Sequence, residues 1–322
     1  MYRIDDATAA TSLPAPESAG TEGYFTEGNP ATGTPATKVR GSWLNMLQEE
    51  LCSILAAAGI ARLKTSYNQV NLALQKMYAP VVGTMRNASM SVTAASATAT
   101  FAADEIVVAT ALGGQTFKPA NFNKTINLAA TGAGGMDTGS APASGYVALY
   151  AIYNPTTGAS ALLATNATSA VAPNVYGGAN MPAGYTASAL VSVWPTNGSR
   201  QFVVAYQVDR SISIANNTIF TNSTTTSGYV SVSIAGAVPP NAKAFSGGLQ
   251  ANTSVAAALQ FGVAATSAPV GIIGMIFNSA GNQSSSIPFV KVPISSPQTT
   301  YYNATNSTGT PTFTLIVSSY DF

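Results

Sequence analysis

Residues 90–110 read MSVTAASATATFAADEIVVAT, where small polar and apolar residues alternate with a period of two before the run IVVA. A period of two sends successive side chains to opposite faces of a strand. The pattern, or an apolar run of strand length, returns in YVALYAIYN (146–154), ALVSVWP (189–195), QFVVAYQVD (201–209) and YVSVSIAGAV (229–238). AALQFGVAA (257–265), FVKVPIS (289–295) and TFTLIVSSYDF (312–322) complete the series. Turn chemistry separates them at Asn154-Pro155, Gly177-Gly178, Asn197-Gly198, Pro239-Pro240 and Gly247-Gly248. Many short strands with turns between them predict antiparallel β-sandwich domains, and no long helical period occurs beyond residue 80.

Upstream the period changes. Leu44, Leu47, Leu51, Ile54 and Ala58 alternate spacings of three and four, a seam that one helix face can bury, and Gly59 follows as a C′ residue. A second helix is expected from Ser66, whose spacing to Gln69 fits a capping box, through Tyr67, Val70, Leu74 and Met77 to Pro80. The two form a helical hairpin or a kinked helix. A heptad-like seam is also how parallel helices associate, so Leu44, Leu47, Leu51 and Ile54 are candidates for a bundle between chains. Residues 1–37, rich in Pro, Gly, Thr and Glu, carry no sustained period and read as extended chain that takes its shape against a partner.

The fold class is therefore mainly β with a small α-helical N-terminal region. Three segments are expected: 1–83, an extended segment with helices; 84–212, a β-rich shaft or first sandwich; and 213–322, a C-terminal sandwich. The second boundary rests on the turn-rich ANNTIFTNSTTTSG at 215–228.

Only 8% of the 322 residues are charged, against about 25% in ordinary soluble domains. Residues 1–90 hold 14 of the 25 charges and the rest of the chain 11. Neutral faces of Ser, Thr and Asn do not repel one another, which favours packing between subunits. A net charge of +1 without a basic cluster removes the electrostatic footprint of a nucleic-acid binder. Cys52 is the single cysteine and histidine is absent, which excludes intrachain disulfides, Cys/His zinc sites and His-dependent triads. The opening MYRIDDATAA lacks the pattern of a signal peptide, and the apolar run VGIIGMIF (270–277) is too short to span a bilayer. Synthesis in a cytoplasm is expected.

Two stretches, GTEGYFTEGNPATGTPAT (20–37) and VRGSWLNMLQEELCSIL (39–55), closely resemble the N-terminal segment of phage and prophage tail fibre proteins. The matching residues are Gly23, Tyr24, Phe25, Gly28, Asn29, Pro30, Trp43, Leu44, Asn45, Gln48, Glu49 and Glu50. The segments SVTAASATATFAADEIVVATALGG, TGAGGMDTGSAPASGYVALYAIYNPTTG and TTYYNATNSTGTPTFTLIVSSYDF are similar to the bodies and tips of such fibres. The resemblance implies a homotrimeric fibre of the virion tail. Its N-terminus would dock on tail, adaptor or baseplate proteins through Tyr24, Phe25, Asn29, Pro30 and Trp43. Its C-terminal domain would meet a bacterial surface glycan or an outer-membrane receptor. A connector joining the tail to another receptor-binding protein is the main alternative, and a polysaccharide-degrading spike the lesser one.

Glycan hydrolysis ordinarily needs two carboxylates astride one bond. Beyond residue 90 the candidates are Asp104, Glu105, Asp137, Asp209 and Asp321; Asp104 and Glu105 are adjacent and point to opposite faces of a strand, and each remaining acid reads as a turn residue or an ion partner, as Asp209 beside Arg210 suggests. The stretch TGAGGMDTG (131–139) lacks the spacing of a phosphate loop and reads as a surface loop. No catalytic residue, metal or cofactor is expected. For receptor contact the candidates are Tyr301, Tyr302, Asn303 and Asn306, with Asn282 and Gln283 in the polar turn GNQSSS. The competing reading places Tyr301 and Tyr302 in a strand with one of them buried.

Overall fold

A computed structural model describes residues 2–78 and 80–322, divided into two compact units, one ending at residue 79 and one beginning at Pro80.

The first unit holds a one-turn 3-10 helix at Pro30–Thr32 and two α-helices, α1 (Gly41–Ala57) and α2 (Gln69–Met77). Gly59 ends α1 as the spacing predicts: its φ is +64° and Ile60 N donates to Leu55 O at 2.9 Å, closing the helix with a Schellman-type bond. The capping box at Ser66 does not form. The helix starts three residues later, because the Gln69 side chain turns back to the preceding loop, donating to Ala61 O at 2.7 Å and accepting from Leu63 N at 3.1 Å. Leu55, Ala58 and Ala73 make a small core, with Ile54, Ile60 and Val70 packed against it.

The second unit begins with β1 (Met85–Arg86), β2 (Ser89–Val92), β3 (Thr98–Ile106), β4 (Val108–Ala109), β5 (Thr116–Phe117) and β6 (Ala120–Asn127). Then follow β7 (Tyr146–Tyr153), β8 (Ser160–Asn166), β9 (Ala187–Pro195), β10 (Ala205–Val208), β11 (Ser211–Asn222) and β12 (Val230–Ser233). The last are β13 (Ala244–Thr253), β14 (Ala256–Ala264), β15 (Ile273–Ala280), β16 (Gln283–Pro293), β17 (Thr299–Asn306) and β18 (Pro311–Asp321).

These strands pair antiparallel in three sheets. The largest runs β1-β3-β2-β10-β11-β18-β13-β16 with β6 on β3; β5-β4-β9-β7-β8 and β12-β17-β14-β15 are the smaller two. β7 and β9 are apolar along almost their whole length and buried on both faces, whereas β18 alternates inward Phe313, Leu315 and Val317 with outward Thr312, Thr314 and Ile316. All three sheets contribute to one continuous core. On one side Tyr320 of β18 donates to Val193 O of β9 at 2.7 Å; on the other the Phe261 ring of β14 lies 5.2 Å from Phe313 of β18. This is a mainly β protein with antiparallel sheets and a small helical region.

Three local readings change. The expected boundary at residue 212 falls inside β11, which pairs with β10 on one side and β18 on the other, so strands from both sides of that boundary share a sheet. Gly247-Gly248 is no turn: it lies within β13 at a register shift, where a Cβ on Gly247 would sit 1.8 Å from Ile316 O. Asp209 and Arg210 do not pair with each other. Asp209 takes a left-handed turn conformation (φ +49°) and accepts from Ala88 N, while Arg210 turns inward to Gly83 O (3.1 Å), Leu190 O (3.3 Å) and the ring of Phe322. Burial lowers the pKa of Arg210, and the three carbonyls it reaches stand where a carboxylate was expected.

Candidate functional site

In the first unit, the Gly-Asn-Pro motif builds a tight loop. Asn29 N donates to Thr34 O at 2.8 Å, Thr34 N returns the bond to Asn29 O at 3.0 Å, and the Asn29 side chain accepts from Ala31 N at 3.0 Å. Pro30 opens the 3-10 turn, where its missing N–H costs nothing. Gly28 has φ +73°, and a Cβ there would strike Thr34 O, so the tight return requires glycine. Asn29 therefore spends its side chain on the loop, and Pro30 is exposed.

The two aromatics of the motif part company. Phe25 lies edge-on to Trp43 of α1 with ring centroids 5.2 Å apart, while Tyr24 is 98% exposed. Along α1 the seam is also divided: Leu51 and Ile54 are half-buried, while Leu44 and Leu47 are exposed together with Trp43 and Met46. The N-terminal chain runs along the same helix. Arg3 forks onto both oxygens of Glu49 (2.7 and 2.5 Å), Ile4 N donates to Gln48 at 2.7 Å, and Lys64 reaches Asp5 at 2.6 Å. Residues 1–37, expected to take their shape against a partner, thus have several contacts within the unit from Arg3 onward. Beside these contacts Leu13, Pro14 and Pro16 face Trp43 and Met46 across an apolar hollow of about 400 Å³.

At the C-terminal end the expected contact residues fall in two places. Tyr301, Tyr302, Asn303 and Asn306 belong to β17. Tyr302 is buried, 4.7 Å from the Phe220 ring; Tyr301 and Asn303 are half-buried, and Asn303 donates to Thr226 Oγ1 at 3.2 Å. Asn306 donates to Thr308 O and Gly309 O at 2.6 and 2.9 Å. Asn282 sits instead in the β15–β16 turn and Gln283 opens β16, its side chain accepting from Ala280 N at 3.0 Å across that turn.

That turn borders a polar surface that the sequence reading missed. Outward-facing Gln250 and Asn252 of β13 lie beside Thr312 and Thr314 of β18 and Ser284 and Ser286 of β16 around a hollow of about 160 Å³. A second hollow of about 320 Å³ adjoins it, sharing Asn252 and Ser284 and extending to Asn282 and Gln283. The available signal was the alternation in GGLQANT, with Leu249, Ala251 and Thr253 buried and Gln250 and Asn252 outward.

Three acids of the β unit have separate partners. Asp104 accepts from Asn87 (2.6 Å), Asp137 accepts from the Tyr176 hydroxyl (3.0 Å), and Asp321 faces Lys291 at 3.4 Å. Burial, and the neighbouring carboxylate of Asp137, raise the Tyr176 pKa. The loop at 131–139 is pinned by buried Met136, whose neighbour Asp137 donates its N–H to Ala164 O at 2.7 Å. Among the described residues no group of three or more His, Cys, Asp or Glu is placed to hold a metal, and no helix is long and apolar enough to cross a membrane.

Over 78 residues, 24% of this chain and 12% of the relative, the sequence is 38% identical to the Mu-like prophage FluMu defective tail fiber protein of Haemophilus influenzae. The chain is similar to a prophage tail fibre protein. It is also 44% identical over 77 residues, 24% of this chain and 35% of the relative, to the uncharacterized protein StfP of Escherichia coli K12. It thus spans about a third of one curated relative and about an eighth of the other. No protein-family profile matches the chain, and no solved structure does. The similarity supports a tail fibre component.

Proposed function

We propose that this chain is a structural phage tail fibre, homotrimeric, held to the tail, an adaptor or the baseplate by its first 83 residues and presenting its C-terminal part to the host surface. The observation that carries the reading is the first unit itself: Trp43, Leu44, Met46 and Leu47 are exposed on α1, while among the described residues its core cluster is the small group Leu55, Ala58 and Ala73. Leu44 and Leu47 continue the spacing of half-buried Leu51 and Ile54, so three copies side by side would cover them. Exposed Tyr24 and the rigid Asn29–Pro30 loop remain available to a tail partner. On the β unit, Tyr206 and Val208 of β10 form a further exposed stripe flanked by serines, a neutral surface suited to a neighbouring copy. Several weak tips on one fibre, and several fibres on one particle, would add through effective concentration.

Mass measurement of the full chain at low concentration tests the assembly. Three times 32.7 kDa is the expected result, and Leu44→Asp with Leu47→Asp should loosen it by placing charges in the seam. A stable monomer overturns the trimeric fibre. Binding to intact bacteria compared with binding to isolated tails separates a host-binding tip from a connector.

A further inference from the structure

We infer that the outward face of β18, β13 and β16 near the β15–β16 turn is a binding groove for an uncharged saccharide. The inference rests on the host-attachment reading above and keeps Asn282 and Gln283 of its contact residues while moving the rest: the ligand is met on a sheet face, and β17 serves the fold.

The face is a small array. Across the strands Thr314, Gln250 and Ser286 form one row, and Thr312, Asn252 and Ser284 the next. Rows lie about 6.7 Å apart along the strands and neighbours about 4.8 Å apart across them, the scale of a single sugar ring. Most amides elsewhere in the unit are consumed by the fold: Asn154, Asn197 and Asn241 all bind backbone groups. Among the described residues, the Gln250, Asn252, Ser284, Ser286 and Thr312 side chains have no intramolecular hydrogen bond, and Thr314 meets only Thr221. Amides and hydroxyls together offer donors and acceptors, which vicinal sugar hydroxyls can answer in kind.

Two observations narrow the ligand. No charged residue lines either hollow, so a uronate, sialate or phosphate would be desolvated without a partner. No large apolar side chain lines them either, unlike the centre of an interface between protein subunits. β13 and β18 are interior strands of the sheet, so the backbone that carries most of these groups is already fixed by pairing and need not be ordered on binding. The adjoining hollow at Asn282 and Gln283 lets a chain of sugars continue over the turn.

The test uses the full chain and saturation-transfer NMR with neutral hexamers of glucose, mannose and galactose and, as a counter-probe, a hexamer of galacturonate. Binding of a neutral hexamer is expected, weakened about tenfold by the near-isosteric Asn252→Asp and by Gln250→Glu, each of which removes a donor from the array. Circular dichroism of both variants should match the parent. Failure of every neutral hexamer to bind, preference for galacturonate, or affinity unchanged in both variants overturns the groove. A variant that alters assembly mass with no saccharide bound would make the face a seam between copies and would also overturn it. Adsorption to bacteria is measured in parallel: adsorption unchanged in both variants removes the groove and leaves the fibre reading standing, whereas a parent chain that binds neither cells nor tails removes the fibre reading.

Discussion

The two units solve the problem of stability in opposite ways. Residues 2–78 carry about half of the charges in about a quarter of the chain, and bury little beyond Cys52, Leu55, Ala58 and Ala73. The β unit has few charges and one continuous core drawn from all three sheets, with Trp194, Tyr150, Phe101, Phe261 and Phe313 fully enclosed. Local rules shape the first: a Schellman end, a Pro-initiated turn, an Asn-capped loop. Helices of this length gain most of their stability from packing, so shape without a core leaves α1 and α2 dependent on what covers them. The second unit needs no such cover.

The largest effect should come from Trp194→Ala. Trp194 is fully buried, edge-on to Phe202 at 6.4 Å, and donates to Val203 O at 3.0 Å. Its removal leaves a cavity and an unpaired carbonyl and should destabilise the β unit by about 3–5 kcal/mol in urea unfolding followed by circular dichroism. Trp43 is then the only tryptophan left, so its fluorescence reports the first unit alone. That transition should not move. If the two transitions shift together, the units unfold as one and the contrast fails.

Next in size is Leu55→Ala. Leucine-to-alanine changes in cores cost about 2–5 kcal/mol, and the low end applies where few neighbours surround the site. Even that should exceed what the Leu55, Ala58 and Ala73 cluster can lose. The helical circular dichroism signal should therefore fall while β unfolding keeps its midpoint. A helical signal that survives unchanged would mean that α1 and α2 are stable without this core.

Strand periodicity made most of the β unit legible, because one buried face and one open face leave an alternating trace, as in β3 and β18. The failures have a common physical cause. β11 reads as turn-rich because Asn216, Asn217 and Thr218 sit at a bulge, where the register shifts and Asn217 bonds Gly236 O. Gly247-Gly248 reads as a turn although its missing Cβ serves close strand approach. At the candidate sites, the competing reading that placed Tyr301 and Tyr302 in a strand with one of them buried matches β17, although which of the two is buried depends on the distant partners β12 and β14. Gln250 and Asn252 were overlooked because each is ordinary alone, and only strand pairing sets them beside Ser284 and Thr312. In the first unit the Asn29 loop and the Gly59 helix end are local and were readable, whereas Arg3 meeting Glu49 is not.

The smallest expected effect is at that contact, and it tests whether the first unit's surface is held by charge where the β unit is held by burial. Arg3's hydrogen bonds hold the Glu49 carboxyl below its usual range, and Glu49 in turn holds the Arg3 guanidinium above its own. A carboxyl depressed in the folded state adds stability above its ordinary range and loses it as pH falls through the folded value. Arg3 stays charged throughout, so acid alone should loosen the tether, and salt should weaken it at neutral pH because the pair faces solvent. Ile4 N, which donates to Gln48 beside Glu49, is the reporter. Its hydrogen-exchange protection factor, corrected for the intrinsic rate, should fall on acidification and fall likewise at neutral pH in Arg3→Ala. Lys64 to Asp5 remains as a second tether in that variant, so residues 2–5 should fray without the helices melting. Protection that is insensitive to acid, salt and Arg3→Ala alike would show that Ile4 is held by packing, and that the charges of the first unit do not order its surface.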